Sequence, residues 1–351
     1  MLLKSVQLYA VHVNENNLHQ LFPLIKEQAE HHDCKFNSKD GDIISRTNYY
    51  MMNTNSGPRA FFIYDINRED PIAYALYYSN VSKHGHGYHL EDICVTNNLR
   101  GSGGGYFAFC YLAKLADRDN CDYVTWVSMA SNHRTLDFYK RRIQAEPISN
   151  YMYELNPQIK MEMENINDSL QTRILSHKDM LKISNHYADE GIALFKSCNS
   201  MKSGQMAVGV FDNNREIVSI TLGSINYSSF RAVLGYETEP PIFFTHNAEK
   251  QLDAVEATIN FVKQKIKTSE LAGHLFCGAS IHDDITNYYL SSKGKQLCMT
   301  DDPKSRLDPY IINKPRLIEL KDEYENFFVL SQTYQRTCQQ KLQLHHQVRG
   351  Y

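Results

Sequence analysis

The segment Arg100-Gly101-Ser102-Gly103-Gly104-Gly105 fits R-x-x-G-x-G and lies between an apolar run and an amphipathic stretch. Glycine admits positive φ and, lacking a Cβ, lets backbone N–H groups converge on one cavity. A helix that starts there adds free N–H groups and the positive end of its dipole. Together they make a cradle for a pyrophosphate. A dinucleotide fold expects an acidic residue roughly 20 residues on, at the end of a second strand. The next strand here ends at Ser131-Asn132 instead. A Walker A loop needs Gly-Lys-Ser/Thr, which is absent. Coenzyme A also carries a pyrophosphate.

The elements that must hold this turn are legible in the hydrophobic pattern. Residues 3–14 alternate as an opening strand, and Leu18, Leu21, Phe22, Ile25 and Ala29 lie on one helical face. Residues 32–59 are polar and read as irregular. Ala60–Tyr64 and Ile72–Tyr78 read as a hairpin, and His89–Thr96 as the strand that enters the glycines. Phe109, Leu112, Ala113 and Ala116 then mark a helix. Tyr123–Ala130 is a strand, Thr135–Arg142 a short helix and Tyr151–Leu155 a last strand. This order predicts an α/β unit.

A polar linker over 156–168 leads to a second unit. Ser176-His177-Lys178-Asp179 has capping-box form. Met206–Phe211, Ile217–Leu222 and Ala232–Tyr236 read as strands. Leu252, Val255, Ile259, Val262 and Ile266 mark a long amphipathic helix, and Leu275–Ser280 a strand. Residues 130–139 align with 279–288 through Ala, Ser, His and Tyr, each at a strand-to-helix junction. Two copies of one fold are expected, with boundaries at 1–157, 168–320 and a polar helical tail over 321–351.

The chain has 351 residues, with 37 Lys+Arg against 40 Asp+Glu. A net charge of −3 argues against bulk attraction to nucleic acid or anionic lipid. No stretch reads as a signal peptide or a membrane-spanning helix, and the expected location is cytoplasmic. The 8 cysteines form no C-x-x-C and read as buried thiols in a reducing compartment. His84, His86 and His89 do not share one face, so no metal site is expected.

Residues 1–155 resemble the GNAT acetyltransferases, and within them the diamine (spermidine/spermine) acetyltransferases. The resemblance rests on Leu24-Ile25-Lys26-Glu27, Leu90-Glu91-Asp92, Arg100–Gly105 and Asp137-Phe138-Tyr139-Lys140-Arg141-Arg142. It implies tandem GNAT (acyl-CoA N-acyltransferase) folds, each a mixed, mostly antiparallel twisted sheet flanked by helices. It also implies direct transfer of acetyl from acetyl-CoA to a primary amine, either polyamine-like or a lysine-type group on a protein. A protein-directed enzyme, or a non-catalytic CoA-binding module, is the alternative.

By this resemblance Gly101, Ser102, Gly103, Gly104, Gly105 and Tyr106 hold the pyrophosphate, with Arg100 at the mouth. Ile93, Cys94 and Val95 pair with the pantetheine arm like an added strand. Asn132 and Lys140 contact the cofactor. Tyr139 is the general acid toward the leaving sulfur. Glu91 contacts the amine and helps deprotonate it. Trp126 joins Glu91 on the acceptor side, as do His31 and His32, which replace the family's Tyr-Glu pair. Where the family has glycine after Lys140-Arg141-Arg142, this chain has Ile143. The second copy reads Thr245-His246-Asn247-Ala248-Glu249-Lys250 before its long helix, without glycine, and is expected not to bind CoA in this way. Because the diamine enzymes are dimers, the fused copy is expected to act as a pseudo-dimer partner or to shape an acceptor groove.

Overall fold

The computed structural model describes residues 7–31, 40–53, 57–148, 150–155, 170–186, 204–229, 233–268, 275–280, 282–293, 295–296 and 307–326. In chain order the first elements are β1 (Leu8–His12), α1 (Leu21–His31), α2 (Asp40–Asn53), β2 (Arg59–Asp65), β3 (Ala73–Ser82) and β4 (Gly85–Val95). Then come α3 (Gly104–Arg118), β5 (Tyr123–Met129), α4 (His133–Phe138), β6 (Glu146–Pro147) and β7 (Asn150–Leu155). The second half holds β8 (Gln171–Ile174), α5 (His177–His186), β9 (Gln205–Phe211), β10 (Ile217–Ser228), β11 (Val233–Thr238) and β12 (Ile242–Phe243). It ends with α6 (Ala248–Thr268), β13 (Leu275–Ser280), α7 (Asp284–Lys293), β14 (Lys295–Gln296), β15 (Leu307–Asn313) and α8 over residues 314–326.

Two mixed sheets result, ordered β1-β2-β3-β4-β5-β15-β6 and β14-β7-β13-β11-β10-β9-β8. The pairs β4–β5 and β11–β13 are parallel, and both span a helical crossover, α3 and α6 respectively. A meander, a crossover helix, a parallel strand and a short helix occur in the same succession twice, so the α/β repeat expected above is present. The apolar face of α3 carries Phe107, Ala108, Leu112 and Leu115 into the first core, while α6 buries Val255, Ile259, Val262 and Ile266. The capping box also forms. The Ser176 N–H donates to Asp179 Oδ2 at 2.9 Å, and the Asp179 N–H returns a bond to Ser176 Oγ at 3.2 Å. Cys94, Cys110, Cys121 and Cys277 are buried free thiols, and the other cysteines lie outside the described residues.

Three expectations are corrected. First, residues 40–53, expected to be irregular, form α2. Its inner face carries Thr47, Tyr50 and Met51 at helical spacing, and a stripe of polar and aromatic residues hides the period that aliphatic residues would reveal.

Second, the sheets exchange strands. β7, expected to close the first sheet, pairs with β13 over Asn150–Leu155. β15, from beyond the second copy, pairs with β5 from Leu307↔Met129 to Asn313↔Tyr123. An open strand edge accepts any extended segment that reaches it. The boundaries at 1–157 and 168–320 therefore cut across both sheets.

Third, the tail expected to start at 321 begins inside α8. Leu317, Leu320 and Tyr324 of this helix are buried in the first core.

The two units meet through β3 and β10. The Val81 N–H donates to Ser224 Oγ at 2.9 Å, and the Thr47 and Tyr227 hydroxyls bond at 2.6 Å.

Candidate active site

β4 and β5 pair only from Gly87↔Tyr123 to Leu90↔Trp126. Beyond that point β4 stays with β3 through Val95, while β5 stays with β15 through Met129. A wedge opens between the two parallel strands, and Ile93, Cys94 and Val95 line its β4 side. Among the described residues, no strand pairs with the backbone edge they turn toward β5. The divergence starts at a bulge. Leu76 faces Asp92 and Tyr77 faces Leu90, so Glu91 is the extra residue. A bulge bends its strand and re-aims the side chains after it.

The wedge leads toward the glycine turn. Gly101 has φ +89° and Gly103 φ +92°, and a Cβ at either would meet nothing within 4 Å. Their glycine is therefore required by the backbone, not by crowding. Gly104 and Gly105 have ordinary contacts, with Val95 at 3.7 and 3.6 Å from their ideal Cβ positions. Gly103 is the N-cap of α3 and supplies no side-chain cap. The first-turn amides thus keep the anion-binding character of an open helix N-terminus. The Ser102 hydroxyl is buried beside them, without a hydrogen-bond partner among the described residues. Arg100 is exposed, and its Nε donates to the Val95 carbonyl at 3.3 Å. Glu27, from the first-helix motif, accepts the Asn97 N–H at 2.8 Å and ties α1 to the start of this loop.

Tyr139 follows α4 on a π turn that ends at Ile143. Its ring packs edge-on against Phe109 at 5.7 Å and Trp126 at 5.0 Å. Tyr310 of β15 closes the cage, 5.8 Å from Tyr139 and stacked at 6.0 Å on Trp126. Burial, reinforced by Asp92 and Tyr310 and opposed by a hydrogen bond with Ser128, holds the Tyr139 phenol above its usual range. It is a neutral proton donor at physiological pH. The glycine missing at 143 is replaced one residue later, where Gln144 takes φ +59°.

Glu91 is held from the second unit. The Ser229 N–H donates to Glu91 Oε1 at 2.9 Å, and the Ser229 hydroxyl lies 3.3 Å from the same oxygen and 2.9 Å from Asp92 Oδ2. Tyr74 also donates to Asp92 Oδ2 at 2.8 Å. Burial, then the neighbouring Asp92, pushes Glu91 up to about 8 despite the Ser229 bonds. Burial pushes Asp92 up to about 6.

Trp126, expected on the acceptor side, is 1% exposed and belongs to the core behind Tyr139. The Tyr106 hydroxyl donates to Glu323 of α8, with Arg142 over its ring at 5.2 Å, so only its backbone faces the cradle. Asn132 caps α4, accepting the Thr135 N–H at 3.3 Å. Lys140 is exposed. The Cys94 side chain is buried away from solvent, which pushes its thiol up to about 12. His31 ends α1 with its side chain outside the described residues, as is all of His32.

Ser229 and Glu237 escaped the sequence reading because they reach the site from the second sheet, and Tyr310 because its strand joins the first sheet from far downstream. Tyr236-Glu237 matches Leu90-Glu91 in the internal repeat, and that match is the signal that could have found Glu237.

Among the described residues the second copy shows no equivalent wedge or cradle. After β11 the chain runs through Pro240, and a Cβ on Gly278 of β13 would lie 2.9 Å from Pro240 Cδ. The start of α6 is capped: the Lys250 N–H donates to Asn247 Oδ1 at 3.0 Å, and Glu249 occupies the first turn. Tyr288, aligned with Tyr139, is 72% exposed.

Residues 19–143 match the model of the Acetyltransferase (GNAT) family. Solved structures similar to the chain include a tandem GNAT protein from the clavulanic acid biosynthesis pathway, without AcCoA. That protein shares 8% identity over 88% of this chain and 98% of its own, at TM-score 0.48. A GCN5-related N-acetyltransferase from Sphaerobacter thermophilus shares 10% over 88% and 96%, at TM-score 0.49. A Drosophila protein shares 8% over 88% and 99%, at TM-score 0.49. No curated protein matches the chain.

Proposed function

We infer that the first unit transfers an acyl group, acetyl in the simplest case, from acyl-CoA to a primary amine by direct attack. The observation that carries this reading is the wedge between β4 and β5 beside an uncapped glycine turn. The free edge of Ile93–Val95 suits the amide groups of pantetheine as an added strand. The Gly101–Tyr106 backbone and the Ser102 hydroxyl suit the pyrophosphate.

An alkyl ammonium, with pKa about 10.4, must lose a proton before its nitrogen can attack. Glu91, at the bulge where the wedge opens, receives that proton directly or through water. The nitrogen adds to the thioester carbonyl, forming the C–N bond, and the C–S bond breaks as the tetrahedral adduct collapses. A β4 backbone N–H, Cys94 or a neighbour, stabilises the developing oxyanion. Tyr139 delivers its phenolic proton to the departing sulfur, and the second proton lost by the acylated nitrogen passes through solvent to restore the phenol. The acceptor is a polyamine-like molecule or a lysine-type group, and the carboxylates around Glu91 favour a cationic one. Among the described residues no helix is long and apolar enough to cross a membrane.

The test is mass spectrometry of amines and peptides incubated with acetyl-CoA and the full chain, beside the Tyr139→Phe variant. An enzyme loses turnover in the variant while its CoA affinity stays unchanged. A CoA-binding module loses nothing. Saturable acetylation of spermidine but not of peptides eliminates a protein acceptor.

A further inference from the structure

Strand β10 turns Ser224 and Asn226 toward the first unit, and β11 sets Glu237 opposite Ser224. Asn226 is 1% exposed, and its Oδ1 has no hydrogen-bond partner. Its side chain hydrogen-bonds Tyr78, whose hydroxyl donates to Glu237 Oε2 at 3.0 Å. Glu237 is close enough to Glu91 and Glu239 for its charge to disfavour ionisation of both. Among the described residues none of these three carboxylates forms an ion pair. Among the described residues the basic groups acting here are Lys83, which is exposed and acts on Glu239, Arg46, which is exposed and acts on Tyr227 beside Glu91, and His89, whose burial holds its imidazole below the usual range.

Acceptors therefore outnumber donors in a patch that opens to solvent at the half-buried Glu91. A buried carbonyl oxygen without a donor is costly to leave unmet, and so is a carboxylate without a cation. A positively charged nitrogen bearing several N–H groups answers both, and an ammonium offers three donors.

We propose that the second unit supplies a cation subsite, in which Glu237 and the Asn226 side-chain carbonyl hold a second charged nitrogen of the acceptor while Glu91 meets the nitrogen to be acylated. This rests on the acyltransferase reading. It gives the copy that lacks a cradle a direct part in substrate binding.

The probes are cadaverine and n-pentylamine, which match in length but differ in the second charge. With acetyl-CoA and the full chain, kcat/KM for cadaverine is expected to exceed that for pentylamine by about tenfold or more. Glu237→Gln keeps an acceptor for Tyr78. It is expected to erase the preference by raising KM for cadaverine about tenfold, with a far smaller change in KM for pentylamine. Asn226→Asp, which adds charge at the same place, is expected to lower KM for cadaverine.

Calorimetry with cadaverine alone reads the subsite independently of turnover, and E237Q is expected to weaken binding about tenfold. Unchanged cadaverine binding in E237Q, or an equal loss toward both amines, overturns the subsite. Binding that follows the expectation without acetylation of either amine supports the subsite and removes the acyltransferase reading.

Discussion

The strand exchange makes the first unit dependent on residues nearly two hundred positions downstream in the chain. Ending the chain before Leu307 removes β15 and α8. Ile311, Ile312, Leu317, Leu320 and Tyr324 are then lost from the first unit, each 6% exposed or less in the full chain. Burying such a side chain contributes about 1.5–3 kcal/mol, so the five together contribute about 5–13 kcal/mol after allowing for residual burial in the unfolded chain. A domain's whole stability is about 5–15 kcal/mol. The β5 edge is also stripped of its ladder, and Tyr139 loses the Tyr310 side of its cage. A chain of residues 1–157 is therefore expected to lack a cooperative unfolding transition and to bind acetyl-CoA weakly. Adding residues 158–351 in trans is expected to restore both. Circular dichroism during urea titration, with calorimetry for acetyl-CoA, reads the outcome. A 1–157 fragment that melts cooperatively and binds acetyl-CoA as tightly as the full chain would falsify the dependence.

Four further outcomes are expected. Tyr139→Phe should lower kcat by roughly 10²–10⁴-fold with unchanged acetyl-CoA affinity, measured by steady-state kinetics and calorimetry. Gly103→Ala forces an L-residue into positive φ at a cost of roughly 1–2 kcal/mol, so acetyl-CoA binding or the melting temperature should fall, whereas Gly105→Ala should be far milder. Ser229→Ala removes a hydroxyl that favours the ionised forms of Glu91 and Asp92, so the acid limb of kcat/KM should move to higher pH; an unmoved limb contradicts the coupling. The raised carboxyl of Glu91 binds protons more tightly in the folded state. Its contribution to stability is full below about pH 4.5 and is lost as pH rises through about 8. Glu91→Gln should flatten the fall of the urea midpoint across that window.

Local pattern and local chemistry were enough for several conclusions. The glycine turn, the helix that follows it, the hairpin, the Ser176–Asp179 cap and the repeat are all written in neighbouring residues, because φ preference, capping and amphipathic period act over a few positions. The different start of the second long helix was equally plain, since Asn247 and Glu249 stand there in place of glycines. Tertiary structure alone decided which sheet each terminal strand joins. A strand's alternation says that one face is buried but not against which neighbour, and the pairings of β7 with β13 and of β15 with β5 are set by where the chain brings them. It likewise decided the surroundings of the candidate catalytic groups. Glu91 owes its position to Ser229, 138 residues away, and the Tyr139 cage is closed by Tyr310. Contacts at such separation depend on chain topology, and no short-range period encodes it.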